Sequence, residues 1–377
     1  HLGRAADAER VAAAALADAP FAFLAWNEVV LARRARGAAA GAQTALAGLA
    51  ARMRDDVENH LELAADYEAA GLFEEAVDVL QRAADLPGPS GHPYPLVHYH
   101  LAHDLERLGR ENDAARAAAR AATLAPDYCF PFRLESGDAL RAAIRRDPRD
   151  ARAWYYLGDL LYDLQPEEAR RAWEASRQLD PRFALVHRNL GWAYRHREQN
   201  PRKAIAGYEA AQAADPRDAR IVVELDELHE LAGTPLETRL ASLRRDQAAL
   251  RARSDGLARE VLVLSGLGRF DESLDLLEHS HFHAEELSGA IHDAFVDAHL
   301  LRGLQRLSER NVAGARADFE AAGTYPDNLE VGRPLRDPRV PQVAYYAALA
   351  SDAAGDSAAA RRLLEHAAGL PHTEGWP

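Results

Sequence analysis

Residues 150–181 read DARAWYYLGDLLYDLQPEEARRAWEASRQLDP. Trp154, Leu157, Gly158 and Leu161 recur at i, i+3, i+4 and i+7, which is one face of an α-helix. A second helix carries Ala169, Trp173 and Ser176 at the same kind of spacing. Asp180-Pro181 closes it, because proline cannot continue the hydrogen-bond ladder. The following stretch repeats the scheme with His187, Leu190, Gly191 and Tyr194, then Ala204, Tyr208 and Ala211. It closes at Asp215-Pro216, 35 residues after the first closure. A two-helix unit at a fixed period marks stacked hairpins, each burying its apolar face against the next.

Weaker copies extend the array in both directions. Ala64, Tyr67, Gly71, Phe73, Ala76, Leu80 and Ala83 make one unit, and Leu101, Ala102, Leu105, Gly109, Ala114, Ala118, Ala121 and Pro126 the next. Further hairpins are expected around Gly233, around Gly268 with Phe270 and Leu277, around Ala315 with Phe319 and Ala322, and around Gly355 with Ala360 and Leu364. The pattern of aromatic, Leu-Gly, tyrosine, small residue, aromatic, alanine and closing proline resembles the tetratricopeptide repeat. The resemblance implies an all-α, right-handed superhelical solenoid of tetratricopeptide-like helical hairpins. The expected organisation is an N-terminal helical region (1–50), hairpins (51–126), an irregular half-repeat (127–149), the best-formed repeats (150–220), degenerate hairpins (221–370) and a tail (371–377).

Composition narrows the function classes. With 59 acidic against 45 basic residues the formal charge is −14, and phosphate binding needs a clustered positive patch, so nucleic acid is not an expected partner. No stretch reaches the roughly 18 uninterrupted apolar residues of a membrane span, so no membrane is expected either. The single cysteine, Cys129, excludes an intrachain disulfide framework and every thiolate-rich zinc site. It suits a reducing compartment, and the cytoplasm is the expected location. The sequence opens at His1 with Met53 as its only methionine, so a truncated piece of a longer polypeptide is expected; a single lysine, Lys203, and abundant alanine suggest a GC-rich bacterial genome.

The array has one fault. From Pro126 to Pro148 there is too little chain for a hairpin, and Leu140 with Ala143 supply only its second helix. The first helix is replaced by Asp127-Tyr-Cys-Phe-Pro-Phe-Arg133, where Pro131 discourages helix in the residue before it. Irregular segments inside regular arrays are often retained for contacts.

A closer resemblance rests on four stretches: DYCFPFRLE at 127–135, ALVHRNL at 184–190, YPDNLEVGRP at 325–334 and AADYEAAG at 64–71. Together they resemble the repeat region of a family of uncharacterised bacterial proteins, over roughly residues 50–367. That resemblance implies a β-sandwich of galactose-mutarotase-like type upstream of the helices, and with it a carbohydrate-related role for the parent chain. One departure is plain: the family tends to have Phe-His-Pro-Trp followed by glycines and glutamate, whereas Phe282-His283 here continues as Ala284-Glu285-Glu286-Leu287.

In a repeat hairpin the first helix lines the concave surface, one residue beyond the packing stripe. That stripe gives Tyr99, His103 and Glu106, then Tyr155, Asp159 and Tyr162, then Arg188, Trp192 and Arg195, with His100, Tyr156 and Asn189 beside them. Tyr128 and Arg133 join them from the irregular segment. Aromatic faces with a few hydrogen-bonding groups suit a peptide, a docked domain or a saccharide. Equally, such aromatics at helical spacing serve to pack adjacent hairpins.

Chemistry is harder to find. Asp159 and Asp163 are i, i+4 carboxylates, but an acidic helix face is the ordinary explanation in so negative a chain. His98-x-His100-x-x-His103 and His279-x-His281-x-His283 lack a complete ligand set, and His229-Glu230 has no second histidine at Gly233, so no metal is expected. Gly266-Leu-Gly268 is a helix-to-helix turn and not a phosphate loop. No catalytic residue and no cofactor are therefore assigned. The expected function is a repeat scaffold that packs against, and completes, an upstream carbohydrate-active or carbohydrate-binding domain of the same chain. A free peptide-binding adaptor comes second, and a solenoid enzyme such as a glycoside hydrolase third. Adaptors that clamp a peptide carboxylate present Lys, Arg and Asn in successive units, and here only Arg188, Asn189 and Arg195 qualify.

Overall fold

The computed structural model describes residues 3–251, 253–283 and 290–370. The expected tail at 371–377 and the departure at 284–287 lie outside the described residues. The protein is all-α: among the described residues the only extended pairing is an isolated bridge between Pro87 and Pro93. The chain divides into two compact units, 1–186 and 187–377.

The first unit contains α1 (Ala5–Asp18), α2 (Phe23–Ala35), α3 (Ala39–Met53), α4 (Val57–Ala69), α5 (Phe73–Ala83), α6 (Pro95–Arg107), α7 (Glu111–Thr123), α8 (Glu135–Arg146), α9 (Ala151–Leu161) and α10 (Pro166–Leu179). The pairs α4/α5, α6/α7 and α9/α10 pack as hairpins, and α2 packs on both α1 and α3. Amphipathicity drives this. On α5 the buried set is Ala76, Val77, Val79, Leu80 and Ala83, while Glu74 and Glu75 occupy the first turn, where the helix dipole favours acidic groups. The second unit begins within α11 (Ala184–His196). It continues through α12 (Pro201–Ala214), α13 (Ala219–Leu231), α14 (Leu236–Leu243), α15 (Gln247–Arg251), α16 (Ser254–Gly266), α17 (Phe270–His279), α18 (Ala290–Ser308), α19 (Val312–Ala321), α20 (Val340–Ala353) and α21 (Ser357–Gly369).

Two devices recur. The closing tripeptide Asp-Pro-Arg stands at 147–149, 180–182 and 215–217, and each aspartate accepts a hydrogen bond from the backbone N–H two residues on, at 2.9, 3.1 and 3.1 Å. This Asx turn stops one helix and sets up the next, which Asp150 and Asp218 then cap through their side chains. The second device is a glycine under an aromatic ring. A Cβ on Gly158 would lie 2.4 Å from the Trp173 ring, one on Gly191 2.7 Å from Tyr208, and one on Gly303 2.3 Å from Phe319. The first two pairs are the Leu-Gly and second-helix aromatic positions of the repeat; the third shows the same contact in the degenerate region, where no Leu-Gly pair announces it.

The regular alternation of helices is interrupted once in the first unit. Residues 125–134 carry no helix, and α8 packs on α6 and α9 without a first helix of its own.

Gly158→Leu and Gly303→Leu should each lower stability by on the order of 1–3 kcal/mol or more, because the inserted side chain must displace a packed ring. Urea unfolding measures this. An unshifted midpoint in either variant would show that the helices do not need the close approach.

Candidate functional site

The predicted residues separate into three kinds by burial. Tyr99, His100, Tyr155 and Tyr156 are interior, with relative exposures of 0–3%. The expectation that they face an open groove is corrected on this point: α6 and α9 bury a face wide enough to take in both stripes. Tyr99 donates its hydroxyl hydrogen bond to Asp150, the cap of α9, at 3.0 Å, and meets the Tyr156 ring edge-on at 6.0 Å. Tyr155 packs on Phe183 at 4.7 Å. Asp159 and Tyr162 are half-buried around Trp173, whose indole N–H donates to Asp159 at 2.9 Å. Asp159 is thus occupied in holding the ring that covers Gly158.

In the second unit Arg188 makes a two-pronged pair with Glu224 at 2.7 and 2.5 Å, and Arg195 lies 3.5 Å from Glu227. These guanidiniums direct their charge to carboxylates of the neighbouring helix, which leaves little for a peptide terminus. Asn189 is half-buried beside them, and Trp192 is partly exposed with the His196 ring tilted against it at a centroid distance of 4.0 Å.

The histidines of α6 diverge. His98 Nε2 lies 3.0 Å from the Ala84 carbonyl, whereas His100 bridges Glu68 of α4 (2.9 Å from Nδ1) and Ser136 of α8 (3.0 Å from Nε2). Ser136, His100 and Glu68 therefore have the connectivity of a nucleophile, base and orienting acid. All three side chains are interior, so no substrate reaches Ser136, and the relay is a structural tie between three helices. Asp104 lies in the same cluster, and burial first, then the Glu68 carboxyl, push its pKa well above the usual carboxylate range. Half-buried His103 is held below the ordinary histidine range by burial. Nothing in the spacing of Glu68, His100, Asp104 and Ser136 announces this cluster; it exists because α8 packs on α6 where a full hairpin would have intervened.

The irregular segment presents the most distinctive surface. Tyr128, Phe130, Phe132 and Leu134 are 59%, 60%, 63% and 74% exposed, while Cys129 is 1% exposed and Pro131 is buried. With Cys129 and Pro131 anchored inside, Tyr128, Phe130 and Phe132 on either side of them are left outside, and Leu134, already helical in its backbone, adds to the row at the start of α8. Tyr128 sits at φ 55°, in the left-handed region, where the chain turns out of α7. The Phe130 N–H donates to Tyr94 Oη at 3.3 Å. Arg133 lies over the Phe132 ring at 4.6 Å and reaches back to the Glu58 carbonyl at 3.3 Å. Burial pushes the Cys129 thiol up to about 12, so it acts as a small apolar anchor. The sequence assigned Tyr128 and Arg133 to the site; Phe130, Phe132 and Leu134 belong with them, and the alternation was the available signal.

A separate concavity of about 880 Å³, lined in part by Arg4, Asp7, Val11, Glu28, Leu31 and Glu75, includes none of the predicted residues. Among the described residues no helix is long and apolar enough to cross a membrane.

No protein-family profile matches the sequence. Among solved structures the chain is similar to a thermophilic TPR protein, TTC0263, in Thermus thermophilus (23% identity, 56% of this chain and 98% of that one, TM-score 0.30). It is also similar to pilF of Pseudomonas aeruginosa (18%, 58% and 90%, TM-score 0.32) and to MamA 41-end from Desulfovibrio magneticus RS-1 (19%, 52% and 93%, TM-score 0.27). The tetratricopeptide-like description rests on the hairpins and glycine contacts of this chain itself.

The raised Asp104 pKa sets a pH dependence with a definite sign. Above about pH 4 the unfolded chain ionises this carboxyl while the folded chain keeps it protonated, so stability is lost as pH rises toward the folded value. Asp104→Asn should therefore raise stability by on the order of 1–3 kcal/mol at pH 8 and by little at pH 4. Urea midpoints at the two pH values test it, and an equal shift at both would show that Asp104 is ionised in the fold.

Proposed function

We propose that this chain is a protein-interaction scaffold whose docking face is the apolar row Tyr128, Phe130, Phe132 and Leu134, rimmed by Arg133, Glu58 and Glu62. The observation that carries the proposal is the outward display of four large apolar side chains on an anchored segment. Contiguous exposed apolar surface rimmed by polar groups marks interaction sites, and aromatic residues dominate their energetics. The occupant proposed is a folded domain, the galactose-mutarotase-like β-sandwich that the sequence resemblance implies upstream. A saccharide site on that domain would then be completed by the aromatic row. The carboxylate-clamp adaptor is disfavoured by the pairing of Arg188 and Arg195 with Glu224 and Glu227.

The test supplies the sandwich domain of the parent polypeptide in trans and measures its binding to this chain by calorimetry. Phe130→Ser with Phe132→Ser should weaken the complex about tenfold or more while leaving the melting temperature of the isolated chain nearly unchanged, since both side chains are mostly exposed. If the reading frame carries no such domain, or the domain binds wild type and variant alike, the proposal fails. A saccharide that binds the complex and neither part alone would support the completed site.

A further inference from the structure

Chain topology brings together a second group of side chains, in the second unit and independent of the docking face. We propose that His281, His283 and Glu330 bind a borderline transition-metal dication, Zn²⁺ being the type ion, with a coordination position left for water.

Their ligand atoms all lie within 4.8 Å of one another. His281 Nε2 is 2.8 Å from Glu330 Oε1, His283 Nδ1 is 3.7 Å from Glu330 Oε2, and the two imidazole centroids are 5.0 Å apart. A tetrahedral ion with bonds of about 2.0–2.1 Å needs donors about 3.4 Å apart, so the group must open slightly on one edge and close on another. All three side chains are exposed and can make that adjustment by rotation.

The backbone beneath them is held firmly. Phe282, between the two histidines, is fully buried, so period-two alternation turns both imidazoles outward. Its N–H donates to the Asn328 carbonyl at 2.8 Å, and the Asn328 side-chain amide donates to the carbonyls of Leu277 and Ser280 at 2.8 and 2.6 Å. The His283 N–H donates to Ser254 Oγ at 2.9 Å. Glu330 follows a 3₁₀ turn (Asp327–Leu329), adopts φ 51° and is preceded by fully buried Leu329. Two core anchors, Phe282 and Leu329, thus fix the donors' relative position before any ion arrives.

Two imidazole nitrogens and one carboxylate suit Zn²⁺ and its neighbours better than Mg²⁺ or Ca²⁺, which prefer all-oxygen shells. Three protein ligands make an open site of the kind that retains water on the metal. His279 does not join the group; its Nδ1 lies 3.0 Å from the Asp275 carbonyl of its own helix.

Zn²⁺ titrated by calorimetry into the full chain, freed of any polyhistidine tag, should show one saturable site near neutral pH. Affinity should fall as the solution is acidified through the histidine range, because protons compete for the imidazoles. Co²⁺ in its place should give the visible absorption of a nitrogen- and oxygen-ligated ion. His281→Ala and Glu330→Gln should each weaken binding about tenfold or more with the helical circular dichroism unchanged, and His279→Ala should leave it intact. Absence of a saturable site, binding unaltered in His281→Ala and Glu330→Gln, or an equal loss in His279→Ala would each overturn the proposal.

Discussion

The close approach of paired helices beneath an aromatic ring is the constraint on which three of the hairpins depend, the two best-formed repeats among them. At Gly158, Gly191 and Gly303 the ring of the partner helix occupies the space a Cβ would need. Interiors are packed at crystal-like density, so a ring seated this way fixes both the separation and the rotation of its two helices. Once these are set, the Asp-Pro-Arg closures have one register in which to turn the chain. Polar groups reinforce the same arrangement. Asp159 holds Trp173 by its indole N–H, and Asp150 holds Tyr99 while capping α9.

The missing helix before α8 explains most of what is unusual in the first unit. Without it, the space beside α6 is filled by Cys129, Pro131 and the Ser136–His100–Glu68 tie. The segment turns only Cys129 and Pro131 into the core. Its other large apolar side chains, three aromatics and a leucine, are left outside. The surface row is therefore a geometric consequence of how the gap is closed, and its aromatic character is what suits it to docking.

The second unit relies more on buried charge. Asp226 accepts two hydrogen bonds from Arg239 at 2.9 Å and a third from Arg259 at 2.7 Å. Burial alone would push the Asp318 carboxyl up, but hydrogen bonds from His299 and Arg302 and the charges of Arg302 and Arg306 outweigh it and hold the group below the usual carboxylate range. Its contribution to stability is present at neutral pH and is lost as pH falls through that lowered value. Such pairs are strongly specific once formed, since removing one partner leaves a buried charge uncompensated. They tie helices where the repeat pattern has decayed and fewer ring-over-glycine contacts are available.

Local spacing and turn chemistry are enough to read the helices, the 35-residue offset of the two clearest units and the close approach at Gly158 and Gly191. The same local signals mark the stretch around Pro131 as non-helical and single out Tyr128 and Arg133 within it. Which aromatics are reachable is another matter. Tyr99, Tyr155 and Tyr156 sit on helix faces that are identical in pattern to a groove stripe, and it takes the neighbouring helices to bury them. Packing likewise brings Glu330 to His281 and His283, and Glu68 and Ser136 to His100, since residues tens of positions apart meet only when separate segments of chain fold together. Periodicity reports the direction in which a side chain leaves its own helix; what stands in that direction is set by the rest of the fold.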